Sequence, residues 1–128
     1  MKIALIVLAA GLSRRFRQQA GEHKLLADLN GKPVLQRTLE QAAASGLDLF
    51  VVTRPDAAAL KALCSQATLV LCDSGGLGES IAAGVKASRD YDGWLIALGD
   101  MPFVTPESYR AVSAALADAP IVRPWIDG

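Results

Sequence analysis

Small residues, a hydroxyl group and cations follow the first apolar run of the chain. These residues are Ala9, Ala10, Gly11, Ser13, Arg14 and Arg15. Small residues let backbone amides approach a ligand closely, and each guanidinium group can bind two phosphate oxygens at once. Together they predict a binding site for a triphosphate. Gly11 alone would instead indicate a plain turn between two elements of secondary structure.

Two further charged residues extend this prediction. Lys24 adds a compact positive charge that suits the same phosphates. Asp100 follows the apolar run at 94–98, and a magnesium ion that bridges triphosphate oxygens needs only one or two protein carboxylates. On position alone, Asp100 fits a metal ligand and a solvated turn acid equally well.

A glycine-containing loop separates these two regions. Its last glycine is Gly78, and Ser80 follows at a predicted helix start. Backbone groups of this loop and the Ser80 hydroxyl would suit the edge of a nucleobase. The alternative is an ordinary helix amino terminus with Ser80 in its first turn.

The sequence lacks the motifs of other nucleotide sites. It has neither G-x-G-x-x-G after the first apolar run nor G-x-x-x-x-G-K-[ST] anywhere. The second predicted strand ends in Thr53-Arg54 rather than in an acid that would bind a ribose. These observations argue against a dinucleotide site.

Apolar spacing predicts alternating strands and helices. Strands are predicted at 2–9, 49–53, 68–72 and 94–98, with a last strand beginning at 121–122. Helices are predicted from Pro33 until Gly46, at 57–65, at 79–88, and after a Thr105 cap to about 118. This order predicts an α/β fold in three α-β-α layers around a mostly parallel sheet. Ligands of such sheets lie beyond the carboxyl ends of the strands, so the loops after Leu8, Cys72 and Leu98 should form the site.

The composition is that of one ordinary globular domain. The chain has 128 residues, of which 52% are hydrophobic, and a formal net charge of +0, so no overall field draws it to nucleic acid or to a membrane. The first apolar run is too short to span a bilayer and fits a buried strand better than a signal peptide. Cys64 and Cys72 lack metal-site spacing and are expected to be near-core residues of a reduced, cytoplasmic protein.

Several ordered motifs resemble the molybdenum cofactor nucleotidyltransferases over essentially the whole chain. They are Leu8-Ala9-Ala10-Gly11-Leu12-Ser13-Arg14-Arg15-Phe16, Lys24-Leu25-Leu26, Gly31-Lys32-Pro33-Val34, Gly76-Leu77-Gly78-Glu79-Ser80-Ile81-Ala82-Ala83-Gly84 and Leu98-Gly99-Asp100-Met101-Pro102. The Ala9-Ala10-Gly11 form looks like the cytidylyltransferase branch, because the guanylyltransferase branch usually has Ala-Gly-Gly there.

The resemblance implies a Rossmann-like nucleotidyltransferase fold and transfer of CMP from CTP to the phosphate of molybdopterin, with release of pyrophosphate. By position, the nucleotide would be bound by Leu8, Ala9, Ala10, Gly11, Ser13, Arg14, Gly78 and Ser80. Arg15, Lys24 and Asp100 would be the catalytic residues, with Asp100 as ligand of a Mg²⁺ cofactor. A molybdoenzyme or its chaperone is the partner that would receive the product.

Some alternatives stay open at this point. The chain also fits transfer from GTP, transfer to a sugar or polyol phosphate, or a nucleotide-binding module without turnover. The segment between Arg15 and Lys24 is longer than usual for the family and lacks the common glycine after Phe16. Family members normally continue past Gly128, so we expect residues 1–128 to be the amino-terminal portion of one NTP-transferase-like domain. The missing portion usually supplies a Gly-His-Pro segment and a second acidic metal ligand.

Overall fold

The computed structural model describes residues 2–9, 25–55, 57–65, 67–72 and 77–118. Along the chain these form β1 (Ile3–Leu8), β2 (Asp28–Leu29), β3 (Lys32–Pro33), α1 (Val34–Ala44), β4 (Asp48–Thr53), α2 (Ala58–Lys61), β5 (Thr68–Leu71), α3 (Leu77–Ala87), β6 (Gly93–Leu98) and α4 (Pro106–Asp118). The short β2 and β3 pair with each other as an antiparallel hairpin. The four longer strands form the main sheet.

The described part of the main sheet is entirely parallel, with the strand order β5-β4-β1-β6. All residues of β1 are apolar and buried, which suits a strand that has neighbours on both sides and helices on both faces. After β1 the chain adds β4 and β5 on one side, and it then crosses to the other side for β6. The predicted α/β fold with a mostly parallel sheet is therefore confirmed.

Helices cover both faces of the sheet. On one face, Leu5 belongs to a buried cluster with Leu35 of α1 and Tyr109 of α4. On the other face, Ile6 belongs to a second cluster, against which Ile81 of α3 packs. Adjacent residues of β1 thus enter different cores, as expected where side chains alternate along a strand. None of the described helices is long and apolar enough to cross a membrane.

Local signals for turns and helix ends act as predicted. The backbone N–H of Ser108 donates to Thr105 Oγ1 at 3.2 Å, so Thr105 caps α4. Gly46 has a φ of +81°, which ends α1 by placing a left-handed residue just beyond it. Asn30 and Gly31 both have positive φ, as the turn of a two-residue hairpin requires.

Two predicted elements differ from the structure or fall outside it, and the two short hairpin strands are not predicted. The helix predicted at 57–65 ends at Lys61; Ala57 provides no side-chain cap, and Leu60 is the only buried residue in its four-residue helix. The hairpin strands are not predicted because two residues are too few to show a period. The strand predicted to begin at 121–122 lies outside the described residues.

Both cysteines have the free, near-core character expected of them. Cys64 is buried, and this burial raises the pKa of its thiol. Cys72 is partly buried and packs against the core on the α3 face. A buried thiol with a raised pKa is a poor nucleophile, so Cys64 serves packing.

Candidate functional site

The carboxyl ends of β1 and β6 lie side by side. Leu8 and Leu98, the last residues of these strands, are partners in the parallel register. The strand order reverses at this pair, since β4 and β5 lie on the other side of β1. Sheets of this type bind ligands beyond the carboxyl ends of their strands, at such a point of reversal. The two loops for which phosphate and metal ligands are predicted therefore start next to each other.

Backbone hydrogen bonds continue past the strand ends and fix the first residue of each loop. The N–H of Ala9 donates to the carbonyl oxygen of Val52 at 2.8 Å. The N–H of Gly99 donates to the carbonyl oxygen of Leu8 at 2.9 Å. The start of the loop after β1 is thus attached to β4, and the residue before Asp100 is attached to β1.

Gly99 occupies a tightly packed position, where an added Cβ atom would make three close contacts. A Cβ atom at this position would lie 3.0 Å from Leu35 Cδ1 and 3.2 Å from Leu25 Cδ2. It would also lie 3.2 Å from the carbonyl oxygen of Leu8, which cannot move without disturbing the sheet. The close approach of α1 to the end of β6 therefore favours glycine immediately before Asp100, because any other residue would displace its neighbours.

Thr38 of α1 holds the carbonyl group of Gly99. Its hydroxyl lies 2.7 Å from the Gly99 oxygen and 3.2 Å from the carbonyl oxygen of Val34, one turn earlier in the helix. The side chain of Thr38 is fully buried. The shorter distance identifies the Gly99 carbonyl as the main acceptor of this hydroxyl.

Asp100 begins the turn that leads from β6 to α4. Its side chain is half-buried at the carboxyl end of the sheet. The next residue, Met101, braces the turn, because its sulfur lies 3.4 Å from the N–H of Leu98 and its carbonyl oxygen accepts from Val104 N–H at 3.5 Å. Asp100 thus lies at the carboxyl end of β6, on a turn attached to both neighbouring elements.

The chemistry of Asp100 suits a metal ion that a substrate also binds. Within the described ranges, no group of three or more His, Cys, Asp or Glu side chains could hold a metal ion by itself. A carboxylate such as that of Asp100 remains the right donor for Mg²⁺, which keeps water molecules and uses substrate phosphates as further ligands. The residues present therefore fit an ion shared with a triphosphate.

The helix α3 starts at the same edge of the sheet. Ser80 lies in its first turn and is fully buried, whereas Gly78 is exposed. Further along the buried side of α3, Gly84 lets the helix approach the sheet, since a Cβ atom there would lie 2.6 Å from Ile6 Cγ2. Contact of Gly78 or Ser80 with a nucleobase stays a prediction.

The described residues contain only part of the predicted site. Leu8, Ala9 and Asp100 come together at the ends of β1 and β6, and Gly78 and Ser80 begin α3. The remaining predicted residues, which are Ala10, Gly11, Ser13, Arg14, Arg15 and Lys24, lie outside the described residues.

Thr38 and Gly99 help to shape this region, but the sequence pattern does not predict these roles. One signal for Thr38 was present: it is a hydroxyl residue on the helix face that also carries Leu35 and Ala42, both of which are buried. Its acceptor lies 61 residues further along the chain, so the spacing of residues gives no indication of the contact.

One family model matches nearly the whole chain. The family model described as MobA-like NTP transferase domain matches residues 5–128. A solved structure, a nucleotidyl transferase from Methanothermobacter, is similar with a TM-score of 0.74 and 30% sequence identity. The similarity covers 88% of this chain and 57% of that one.

The relatives of this chain are named as different nucleotidyltransferases and as a bifunctional protein. The chain is 37% identical over 126 residues to the bifunctional protein GlmU of Dinoroseobacter shibae, covering 91% of this chain and 27% of GlmU. It is 33% identical to the 3-deoxy-manno-octulosonate cytidylyltransferase of Bacteroides thetaiotaomicron, covering 98% of this chain and 51% of that protein. It is also 33% identical to a probable molybdenum cofactor guanylyltransferase of Pyrococcus horikoshii, covering 84% of this chain and 53% of that protein. The chain thus spans between about a quarter and about half of the length of these relatives.

Proposed function

This chain belongs to the MobA-like NTP transferase domain family, and we propose on that basis that it transfers CMP from CTP to the phosphate of molybdopterin. In this reaction an oxygen of the acceptor phosphate attacks the α-phosphorus of CTP. The bond from that phosphorus to the bridging oxygen of the β-phosphate breaks, and pyrophosphate leaves. The reaction needs positioning and charge stabilisation more than covalent catalysis by the protein.

The observation that carries the proposal is the junction of β1 and β6. Leu8 and Leu98 end neighbouring parallel strands, and the N–H of Gly99 donates to the Leu8 carbonyl oxygen at 2.9 Å. The loop that begins at Ala9 and the turn that carries Asp100 therefore leave the sheet from the same point. A triphosphate along this edge would meet backbone amides on one side and a carboxylate-bound cation on the other.

The proposed roles follow from the charge of each residue. Arg15 and Lys24 bind phosphate oxygens and offset the charge that develops on the departing pyrophosphate. Asp100 holds Mg²⁺, which when bound supplies further positive charge to the triphosphate. Ala9, Ala10 and Gly11 allow the backbone to approach the nucleotide, and Ser13 and Arg14 add further donors. Gly78 and Ser80 line the base at the start of α3.

The choice of CTP rests on the form of the first loop. Its Ala9-Ala10-Gly11 sequence resembles that of the cytidylyltransferase branch. The Bacteroides relative is named a cytidylyltransferase, whereas the Pyrococcus relative is named a guanylyltransferase. Both have the same identity to this chain, so the first loop is the observation that favours CTP.

Nucleotide preference gives the first test of the proposal. Binding of CTP, GTP, UTP and ATP is measured by isothermal titration with and without Mg²⁺. We expect CTP to bind most tightly and to depend on the metal, because the metal neutralises phosphates that Asp100 alone would repel. Equal binding of all four nucleotides would contradict the cytidylyl assignment. A preference for GTP would support the guanylyltransferase alternative.

A further inference from the structure

The peptide group between Gly99 and Asp100 is restrained at several points. The Gly99 N–H donates to the Leu8 carbonyl oxygen, and the Gly99 carbonyl accepts the hydrogen bond of the buried Thr38 hydroxyl at 2.7 Å. The side chains of Leu35 and Leu25 pack closely around Gly99, within 3.0 and 3.2 Å of where a Cβ atom would lie.

We propose that Thr38 is a positioning residue that sets the direction of the Asp100 carboxylate. The Gly99 carbonyl and the Asp100 N–H belong to one planar peptide group, so fixing the carbonyl also fixes the plane from which Asp100 departs. This inference rests on the proposed function, since it concerns the metal and triphosphate that Asp100 would meet.

Glycine makes such a restraint necessary. Without a Cβ atom, Gly99 has access to more backbone conformations than any other residue, and the peptide after it could rotate. The hydrogen bond that the Gly99 N–H donates to the Leu8 carbonyl oxygen restrains the peptide before Gly99 and not the carbonyl group after it. The hydroxyl of Thr38 restrains that carbonyl, and it does so from a helix that packs firmly on the sheet.

Thr38 is a polar residue in an apolar environment, so its hydroxyl does not serve contact with solvent. Thr38 is fully buried between Leu35 and Leu39, which are also buried on the same side of α1. A valine would fill nearly the same volume without a polar group. A hydroxyl in the interior of a helix commonly bonds only to the carbonyl four residues earlier, but the acceptor across the interface is the closer one.

The test compares Thr38→Val with Thr38→Ser and with a matched buried threonine. Thr53→Val serves as the control, because Thr53 is also fully buried but its hydroxyl has no hydrogen-bond partner among the described residues. The concentration of Mg²⁺ needed for half-maximal CTP binding is measured for each variant. Thr38→Val should raise it about tenfold, the lower end of what outer-shell partners of metal ligands contribute, and Thr38→Ser should restore it. Thr53→Val should leave it unchanged.

A second measurement is independent of nucleotide binding. Amide hydrogen exchange at Asp100 and Met101 in the protein without ligand should become faster in Thr38→Val and remain at the wild-type rate in Thr53→Val. If the valine variant fails to fold, the exchange rates of Thr38→Ala and Thr38→Ser provide the same comparison. Absence of CTP binding in the wild-type protein would contradict the proposed function, whereas the exchange rates would still report on the turn. An unchanged metal requirement or unchanged exchange in folded Thr38→Val would overturn the role of Thr38.

Discussion

The N–H of Gly99 donates a hydrogen bond to the carbonyl oxygen of Leu8 at 2.9 Å, which joins the turn before Asp100 to the last residue of the central strand. This bond continues the parallel pairing of β1 and β6 by one residue beyond the strands themselves. As a result, Asp100 and the loop after β1 leave the sheet from positions that are fixed relative to each other. The sheet therefore positions the two loops of such a site relative to each other.

Replacement of Asp100 tests the metal part of the site. Asp100→Asn keeps the size of the side chain and removes its charge, so it should weaken metal-dependent binding of CTP by about one to two orders of magnitude. Binding without metal should be equal or tighter, because the variant lacks the carboxylate that repels the phosphates. Calorimetric titration at several Mg²⁺ concentrations measures both quantities. Asp90→Asn, in the exposed turn after α3, is the matched control. If Asp100→Asn retains wild-type metal dependence, Asp100 does not belong to the site.

Two glycines of α3 should respond to alanine in opposite ways. A Cβ atom at Gly84 would lie 2.6 Å from Ile6 Cγ2 and 3.2 Å from Val52 Cγ2. Gly84→Ala should therefore lower the free energy of unfolding by about 1–3 kcal/mol, since α3 would have to move away from the sheet. At Gly78, nothing lies within 4 Å of the added atom. Gly78→Ala should raise the free energy of unfolding by about 0.5–1 kcal/mol through helix propensity.

Urea denaturation measures the two glycine variants under the same conditions. Because Gly78 belongs to the predicted nucleotide site, only its unfolding free energy is used as a control. Equal effects of the two substitutions would contradict the close packing of α3 on β1.

The hydroxyl of Tyr109 predicts a dependence of stability on alkaline pH. Tyr109 is buried, its hydroxyl has no hydrogen-bond partner in the described part of the chain, and burial raises the pKa of this phenol from 10.0 to about 12. Between these two pH values the unfolded chain loses the phenolic proton and the folded chain keeps it. The stability contributed by the neutral phenol is therefore complete below pH 10 and is lost as the pH rises toward 12.

Tyr109→Phe should remove this component of the alkaline transition. At neutral pH the variant should be as stable as the wild type or slightly more stable, because it removes a polar group that has no partner. Unfolding free energies of both proteins are measured from neutral pH to about pH 12, and the difference between them is compared at each pH. Part of the slope should persist in the variant, since the pKa values of Cys64 and Tyr91 are also raised. Parallel curves for both proteins would contradict the burial of the phenol.

The fold could be predicted from local patterns where these are long enough. The fully apolar β1 and the Thr105 cap of α4 are examples in which side-chain type determines the element directly. The short length of α2 could not be predicted, because the extent of an alanine-rich helix without a cap depends on its tertiary contacts.

The candidate site could be predicted only where a local pattern determines the position of a residue. The position of Asp100 follows from its place at the end of a buried strand, and the parallel sheet brings it to the same edge as Ala9. The roles of Thr38 and Gly99 could not be predicted, since they depend on how closely α1 approaches the end of β6. Such distances come from packing and not from the spacing of residues along the chain.

The most direct test of the proposed function is the transfer reaction itself. The chain is incubated with Mg²⁺, molybdenum cofactor and CTP labelled at the α-phosphate, and pyrophosphate and the labelled product are both quantified. We predict equal amounts of pyrophosphate and CMP-bearing product with CTP, at a rate at least about tenfold above that with GTP, UTP or ATP. The Asp100→Asn variant should show neither product above background. Tight binding of CTP without release of pyrophosphate would contradict the proposed reaction and identify the chain as a nucleotide-binding module.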